Sequence, residues 1–265
     1  MTEPVPFYRD SSVTLYHGRM EDVIPQLDLA GVDCAIADPP YAQTSLTWDR
    51  WPPGWPAVLE AAGIRQLWCF GSMRMFLERA EEFDRWAFAQ DVVWEKHNGS
   101  GFHIDRFRRV HEAACHFYRG PWSDLYHEAP RTMDAVRKRV HRRTKPAHWS
   151  KIGEASYASE DGGPRLMGSV IFAKSCHGYA VNETQKPEAL LEPFLAYSVP
   201  PGGLVLDIFS GSGTVAAVAK RTGKRCISID IREDQCELAA LRLQRPWTGD
   251  APAIPGQGRL FGEKS

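Results

Sequence analysis

No stretch of this chain is apolar over the roughly 18 residues that a membrane-spanning helix needs, and its opening residues show no charged-then-apolar leader. A soluble, cytoplasmic protein with no membrane contact is therefore expected. The six cysteines, at 34, 69, 115, 176, 226 and 236, form no CxxC pair, which argues against a disulfide framework or a zinc finger. Cys115-His116 and Cys176-His177 are the only Cys-His neighbours. Adjacent side chains rarely share one ion, so no metal is expected. Also missing is any GxxxxGK[ST] run, which excludes a P-loop. A large excess of either charge is absent too, since 32 Lys and Arg face 33 Asp and Glu. Any attraction to a charged partner must come from a local cluster.

What is present suits one large α/β domain, or such a domain carrying an insertion, because 265 residues with 43% hydrophobic content can bury a sizeable core. The chain turns on Ala37-Asp38-Pro39-Pro40-Tyr41. The apolar run Val32-Asp33-Cys34-Ala35-Ile36 before it reads as a buried strand. Two successive prolines remove two backbone donors and fix two φ angles, so the strand must stop in a stiff corner. That corner presents a carboxylate, unladdered carbonyls and an aromatic ring at a strand's carboxyl end, the edge where open α/β sheets bind ligands.

Strands and helices alternate on both sides of the corner. Short strands are expected at Val13–Gly18, Gln66–Phe70, Asp91–Trp94 and Val110–Tyr118, with helices over Met20–Leu27, Ala57–Ala62 and Met73–Trp86. Trp48, Trp51 and Trp55, in and after the loop that follows the corner, either stack on a flat substrate or fold back as an apolar lid, the lid being the expectation for most of them. Composition shifts near Arg119, and residues 120–170 show no apolar period. Within that segment Arg137, Lys138, Arg139, Arg142, Arg143 and Lys145 form a run without an acid, which suits phosphate contact as well as plain solvation. Regular structure returns with a helix over Glu188–Ser198, then the strand Leu204–Phe209. A glycine loop opens a helix over Val215–Arg221, and a strand to Asp230 and a last helix, Glu233–Leu243, follow. The fold class expected is α/β, a doubly wound Rossmann-like sheet with an inserted region.

The second centre is Asp207-Ile208-Phe209-Ser210-Gly211-Ser212-Gly213-Thr214. Strand, glycine loop, helix, strand and acid together form a nucleotide-binding unit, in which the glycines let backbone approach a ligand. Asp230 follows Asp207 by 23 residues, near the distance expected of an acid that bonds ribose hydroxyls. The loop departs from the dinucleotide fingerprint because the third glycine is missing at its spacing.

The pair ADPPY and LDIFSGSGT, in that order, resembles the amino-methyltransferases that use S-adenosylmethionine to methylate exocyclic amines of DNA bases. Corner first and cofactor loop last is similar to their β class. TQKPEALLEPFL, VVWEKHNGSG, RVHEAACHFYRG and TSLTWD resemble further family segments, the last a loop of phage-type members, so that most of 13–119 and 180–245 is covered. The resemblance implies a division into 1–119, a catalytic half with the corner; 120–180, a target-recognition insertion; 181–245, a cofactor-binding half; and 246–265, a flexible tail. It implies that Asp38, Pro39, Pro40 and Tyr41 act on the N6 amine of an adenine flipped from double-stranded DNA, with Tyr41 stacking on the base. Met20, Asp38, Thr184, Gln185, Lys186, Asp207, Phe209, Gly211, Gly213, Thr214, Asp230 and Ile231 would surround the cofactor. Within that set Asp230 would take the ribose, Ile231 the adenine ring, and Lys186 the methionine carboxylate. Arg19 stands where many relatives carry an acid, which leaves the Met20 backbone at that position.

N4-cytosine methylation on the same architecture is the nearest alternative, and aspartate rather than serine at 38 tilts toward adenine. A catalytically idle DNA-binding module is the alternative of another class; the intact corner and glycine loop oppose it. A homodimer is compatible with the resemblance. In the tail, Gln257, Leu260 and Phe261 resemble short peptides that bind bacterial sliding clamps.

Overall fold

The computed structural model describes residues 4–100, 104–141, 156–176 and 185–245, apart from the side chains of residues 98–100. In chain order the regular elements begin with β1 (Tyr8–Arg9), β2 (Val13–His17), α1 (Met20–Val23), β3 (Val32–Ala37), α2 (Trp55–Ala61), β4 (Gln66–Gly71), α3 (Met73–Glu78), β5 (Ala87–Ser100) and β6 (Arg109–Tyr118). Four short strands follow, β7 (Arg131–Thr132), β8 (Lys138–Val140), β9 (Tyr157–Ser159) and β10 (Arg165–Leu166). The chain then forms β11 (Val170–Phe172), α4 (Glu188–Ser198), β12 (Leu204–Asp207), α5 (Thr214–Arg221), β13 (Arg225–Asp230) and α6 (Glu233–Gln244).

These elements form two compact units, one within Met1–Glu128 and Ser169–Ala251, the other within Ala129–Gly168. The larger holds a nine-stranded sheet ordered β1-β2-β13-β12-β3-β4-β6-β5-β11. From β2 through β4 the neighbours are parallel; β6 then runs antiparallel to both β4 and β5. Parallel strands are covered on both faces and therefore read as continuous apolar runs. Every residue of β4 is buried, as are Cys34 to Ala37 of β3. Alternate side chains go to opposite faces. Ala35, Ala37, Leu67 and Cys69 join a core with Met20, Val23, Leu59 and Met75. Trp68 and Phe70 turn the other way, toward Phe194 of α4, at ring distances of 4.6 and 5.4 Å. The doubly wound architecture expected from the sequence is present.

Two local expectations change. A single helix over Met73–Trp86 does not form: α3 stops at Glu78, and Arg79 leaves the helical region with φ −119° and ψ 14°. Phe83 then stacks on Phe117 of β6 at 4.7 Å, while Met73 and Leu77 are exposed. The tertiary aromatic contact outweighs the periodicity. The strand expected at Asp91–Trp94 is the middle of a 14-residue strand, β5, paired along its length with β6. All six cysteines are buried thiols.

The smaller unit pairs β7 with β10 and β8 with β9, both antiparallel. Asp134 receives both arms of the Arg165 guanidinium at 2.8 and 2.9 Å. Among the described residues no helix is long and apolar enough to cross a membrane.

Trp55 is fully buried, edge-on to Phe83 at 5.7 Å and to Phe209 at 5.6 Å. Trp55→Ala should therefore cost about 3–5 kcal/mol of stability, read from urea denaturation. Trp55→Phe should cost much less, because the indole Nε1 it removes has no partner.

Candidate active site

Parallel strands end at one edge, and here that edge gathers the two centres. β3 pairs directly with β12, with Ile36 opposite Asp207, so the proline corner and the glycine loop leave adjacent strand ends. On its other side β12 pairs with β13, which ends at Asp230. A cavity of about 1670 Å³ opens here, and Asp38, Tyr41, Asp207, Phe209, Gly211 and Asp230 are among the residues lining it.

The corner is held from several directions. After Tyr41, Ala42 adopts φ 55°, a left-handed conformation that costs energy for a residue with a Cβ. Asp49 supports it: its carboxylate, only 3% exposed, accepts the amides of Ala42, Gln43 and Thr44 at 2.8, 2.9 and 2.7 Å and the Thr44 hydroxyl at 2.8 Å. Burial raises the Asp49 carboxyl, but these donors outweigh it and hold the group below the usual carboxylate range. Trp51 and Trp55 fold into the core as the lid expectation holds; Trp48 is half-buried on the cavity wall, 5.9 Å from the Arg232 guanidinium.

Asp38 itself carries two donors, the Tyr41 hydroxyl on Oδ1 at 2.9 Å and the Lys186 ammonium on Oδ2 at 2.6 Å. Lys186 is 8% exposed, lies 5.4 Å from the Phe70 ring, and also meets Glu112 Oε2 at 3.5 Å. A buried ammonium needs counter-charge. Burial lowers its pKa, but Asp38 and Glu112 outweigh that and hold it above the ordinary lysine value. Lys186 is thus a buried ammonium held by the acid of the corner. Glu112 in turn pairs with Lys96 through a short contact at Oε1. Burial raises the Glu112 carboxyl, and the two lysines more than offset it, keeping the group below its ordinary value. The Tyr41 phenol is pushed well above its ordinary pKa by burial, then by Asp38 and Glu112, and stays protonated.

Sequence reasoning missed Glu112 and Lys96. Their signal was an acid beside the apolar run Ala113-Ala114-Cys115 of β6 and a lysine two residues beyond Trp94, the cross-strand partner of Glu112. It also missed Arg106, Phe107, Arg108 and Arg109, which line the same cavity, with Phe107 fully exposed.

At the glycine loop, Gly211 and Gly213 both have positive φ, 48° and 69°. Gly213 does not line the cavity; a Cβ there would lie 2.9 Å from that of Ala239, so the glycine permits close packing of the loop on α6. Asp230 accepts the Gly211 amide at 2.6 Å and the Arg232 amide at 2.9 Å, fixing both sides of the cavity rim. Asp207 is 2% exposed and its Oδ2 has no partner. Burial, then the nearby Asp230 and Asp38 charges, push its carboxyl well above the ordinary range. An unpartnered buried acid in a cavity wall is a place for a cationic or hydroxyl-bearing ligand. Met20, Gln185, Thr214 and Ile231 also line the cavity, Ile231 being 58% exposed. Thr184 lies outside the described residues. Arg19 is exposed and pairs with Glu21 at 3.3 Å.

Of the basic run, Arg137, Lys138 and Arg139 are exposed at the start of β8, and Arg142, Arg143 and Lys145 lie outside the described residues. Among the described residues no group of three His, Cys, Asp or Glu could hold a metal ion.

A sheet with a proline corner and a glycine loop at adjacent strand ends defines a Rossmann-like transferase site. The DNA methylase family of N6 and N4 methyltransferases matches residues 32–241, and the chain belongs to that family. It is 25% identical to the Type II methyltransferase M1.MboII of Moraxella bovis over 84% of this chain and 94% of the relative. A 61-residue stretch is 48% identical to the Type II methyltransferase M2.DpnII of Streptococcus pneumoniae, covering 23% of each. Among solved structures, the M1.HpyAVI–SAM complex is similar with a TM-score of 0.57 at 23% identity, over 87% of this chain and all of that one. The cytosine-N4-specific PvuII DNA methyltransferase is similar with a TM-score of 0.63 at 14% identity, over 91% of this chain and 89% of that one. These two likenesses are of fold.

The lowered pKa of Asp49 has a sign: the stability it contributes is present above the ordinary carboxylate pKa and is lost as pH falls through the lowered folded value. Acid titration of thermal stability should therefore be shallower in Asp49→Asn than in wild type, and the variant should be less stable at neutral pH.

Proposed function

We propose that this chain transfers the methyl group of S-adenosylmethionine to the exocyclic N6 of an adenine flipped out of double-stranded DNA. The carbon–sulfur bond would break as the carbon–nitrogen bond forms, S-adenosylhomocysteine would leave as a neutral thioether, and the methylated amine would lose one proton to solvent. The observation that carries the reading is the cavity that Asp38 shares with Asp207 and Asp230 at three adjacent strand ends. Three carboxylates favour a ligand bearing an ammonium and a sulfonium, the unpartnered Asp207 Oδ2 awaits a donor, and Met20, Phe209 and Ile231 offer apolar surface to a ring. Bound there, S-adenosylmethionine supplies an electrophilic methyl group on a positive sulfur. Asp207 would receive the cofactor's ammonium, Asp230 its ribose hydroxyls, and Gln185, Gly211 and Thr214 line the same wall.

An adenine amino nitrogen is a poor nucleophile because its lone pair is delocalised into the ring. Acceptors aimed at its hydrogens favour a pyramidal nitrogen and fix its direction. The Asp38 carboxylate and the Pro39 carbonyl supply them, and the rate comes from position and electrostatics. Pro40 stiffens the corner. The amine is out of reach inside a duplex, so the base must leave the stack, at a cost of a few kcal/mol. Stacking on the Tyr41 ring would return about 1–3 kcal/mol of it. In the smaller unit the exposed Arg137, Lys138 and Arg139 suit phosphates of DNA. At the cavity of the larger unit, Arg106, Arg108 and the fully exposed Phe107 suit phosphates and an unstacked base. The fold is shared with a cytosine-N4 enzyme and does not choose the base; Asp38 favours adenine through the resemblance to relatives. A homodimer and a clamp contact enter no step of this reading, and Gln257, Leu260 and Phe261 lie outside the described residues.

Labelled methyl transfer to unmethylated DNA, with nucleoside analysis, tests the reading. N6-methyladenine is expected, reduced about 100- to 1000-fold in Asp38→Ala; N4-methylcytosine would overturn the base assignment, and transfer undiminished in Asp38→Ala would overturn the site. Replacing Arg137, Lys138 and Arg139 with alanine should weaken binding of all DNA sequences alike. It should also lower the salt slope of log K by about 0.9 for each cation that meets a phosphate.

A further inference from the structure

Both groups that occupy Asp38 have a second acceptor, and it is the same atom. The Tyr41 hydroxyl lies 2.9 Å from Asp38 Oδ1 and 3.3 Å from Glu112 Oε2. The Lys186 ammonium lies 2.6 Å from Asp38 Oδ2 and 3.5 Å from Glu112 Oε2. A phenol has one proton to donate, so its two contacts are alternatives. With both donors on Asp38, each of its oxygens already carries one hydrogen bond, and an incoming amine must compete for what remains.

We propose that Glu112 is the positioning residue of the methyl transfer, drawing the Tyr41 hydroxyl and the Lys186 ammonium off Asp38 when the target amine arrives. The inference rests on the reading that Asp38 receives that amine. The movement needed is small, because each donor is already within 3.5 Å of its second acceptor. No proton changes owner: a hydrogen bond turns and an ammonium shifts, and the oxygens of Asp38 gain acceptor capacity. Lys96 completes the device. It occupies Glu112 Oε1, which leaves Oε2 as the receiving atom, and it lies 4.4 Å from the Trp94 ring, which fixes its place. Two acids and two lysines also keep the buried group neutral, which a low-dielectric site requires. Glu112 could not be assigned this part from the corner motif alone, since it is 74 residues away from Asp38.

The test is steady-state methyl transfer by the full chain, with kcat and the KM for DNA and for S-adenosylmethionine measured separately. Glutamine at 112 keeps the shape but no longer competes for an ammonium. Glu112→Gln should lower kcat by about 10- to 100-fold with both KM values within about twofold of wild type, as expected for a misplaced reacting group. Glu112→Asp, which keeps the charge, should recover part of the loss. Charge balance alone would give the same fall in the single variant, so the pair Glu112→Gln with Lys96→Gln decides. That pair restores neutrality and is expected to recover thermal stability while kcat stays low. Recovery of kcat in the pair, or a wild-type kcat in Glu112→Gln, would overturn the inference. Failure of the wild type to methylate DNA would instead remove the reading beneath it.

Discussion

The parallel pairing of β3 with β12 is the contact on which the site depends. Asp38 and Asp207 are 169 residues apart in the chain, yet their strands are hydrogen-bonded neighbours running the same way. Neighbouring strands lie about 4.8 Å apart, so two motifs that leave the same edge of adjacent strands must face one cavity. The register is held at its start by Asp33, whose Oδ2 accepts the Leu204 amide at 2.8 Å beside the irregularity between Leu204 and Val205. An acid inside an apolar strand thus has a structural role at one end of β3, while another acid, Asp38, follows its other end.

Around that pairing the chain has built an unusual density of buried charge. Asp38, Lys186, Glu112 and Lys96 alternate in sign, and Asp207 and Asp230 stand close by, the Asp207 Oδ2 without a partner. Such groups are poor bargains for stability, because desolvation offsets much of their attraction. Together with the left-handed Ala42, they locate strain and desolvation in one place. A fold tolerates this where a ligand or a reaction makes use of it. The supply of acceptors on one wall and unpartnered carboxylate on the other matches a methyl-transfer reaction, whose reactants are a neutral amine and a cationic donor.

The division of labour is also physical. The corner and glycine loop come from rigid strand ends, where position is accurate; the basic residues expected to meet DNA lie in short strands and loops, where a long charged side chain can adapt to a phosphate. Membership of the DNA methylase family is consistent with both, but the fold is shared between enzymes that act on different bases. The sheet by itself does not choose the base.

Local sequence alone determined much of this protein. Two prolines must end a strand, a run of buried residues must be covered on both sides, and Gly211 and Gly213 supply the left-handed turns that open α5. The strand and helix order, the glycine loop, its acid and the corner were therefore legible, as was the inward folding of Trp51 and Trp55. Tertiary structure decided the rest. Nothing local to Lys186 says that its ammonium is buried on Asp38, nothing local to Glu112 says that it faces the same atoms, and nothing between Met73 and Trp86 says that Phe83 will leave the helix to meet Phe117. Propensity and periodicity act over a few residues, whereas these contacts join strands and loops far apart in the chain, and the energy of a buried charge or a stacked ring is set by whatever the fold brings beside it.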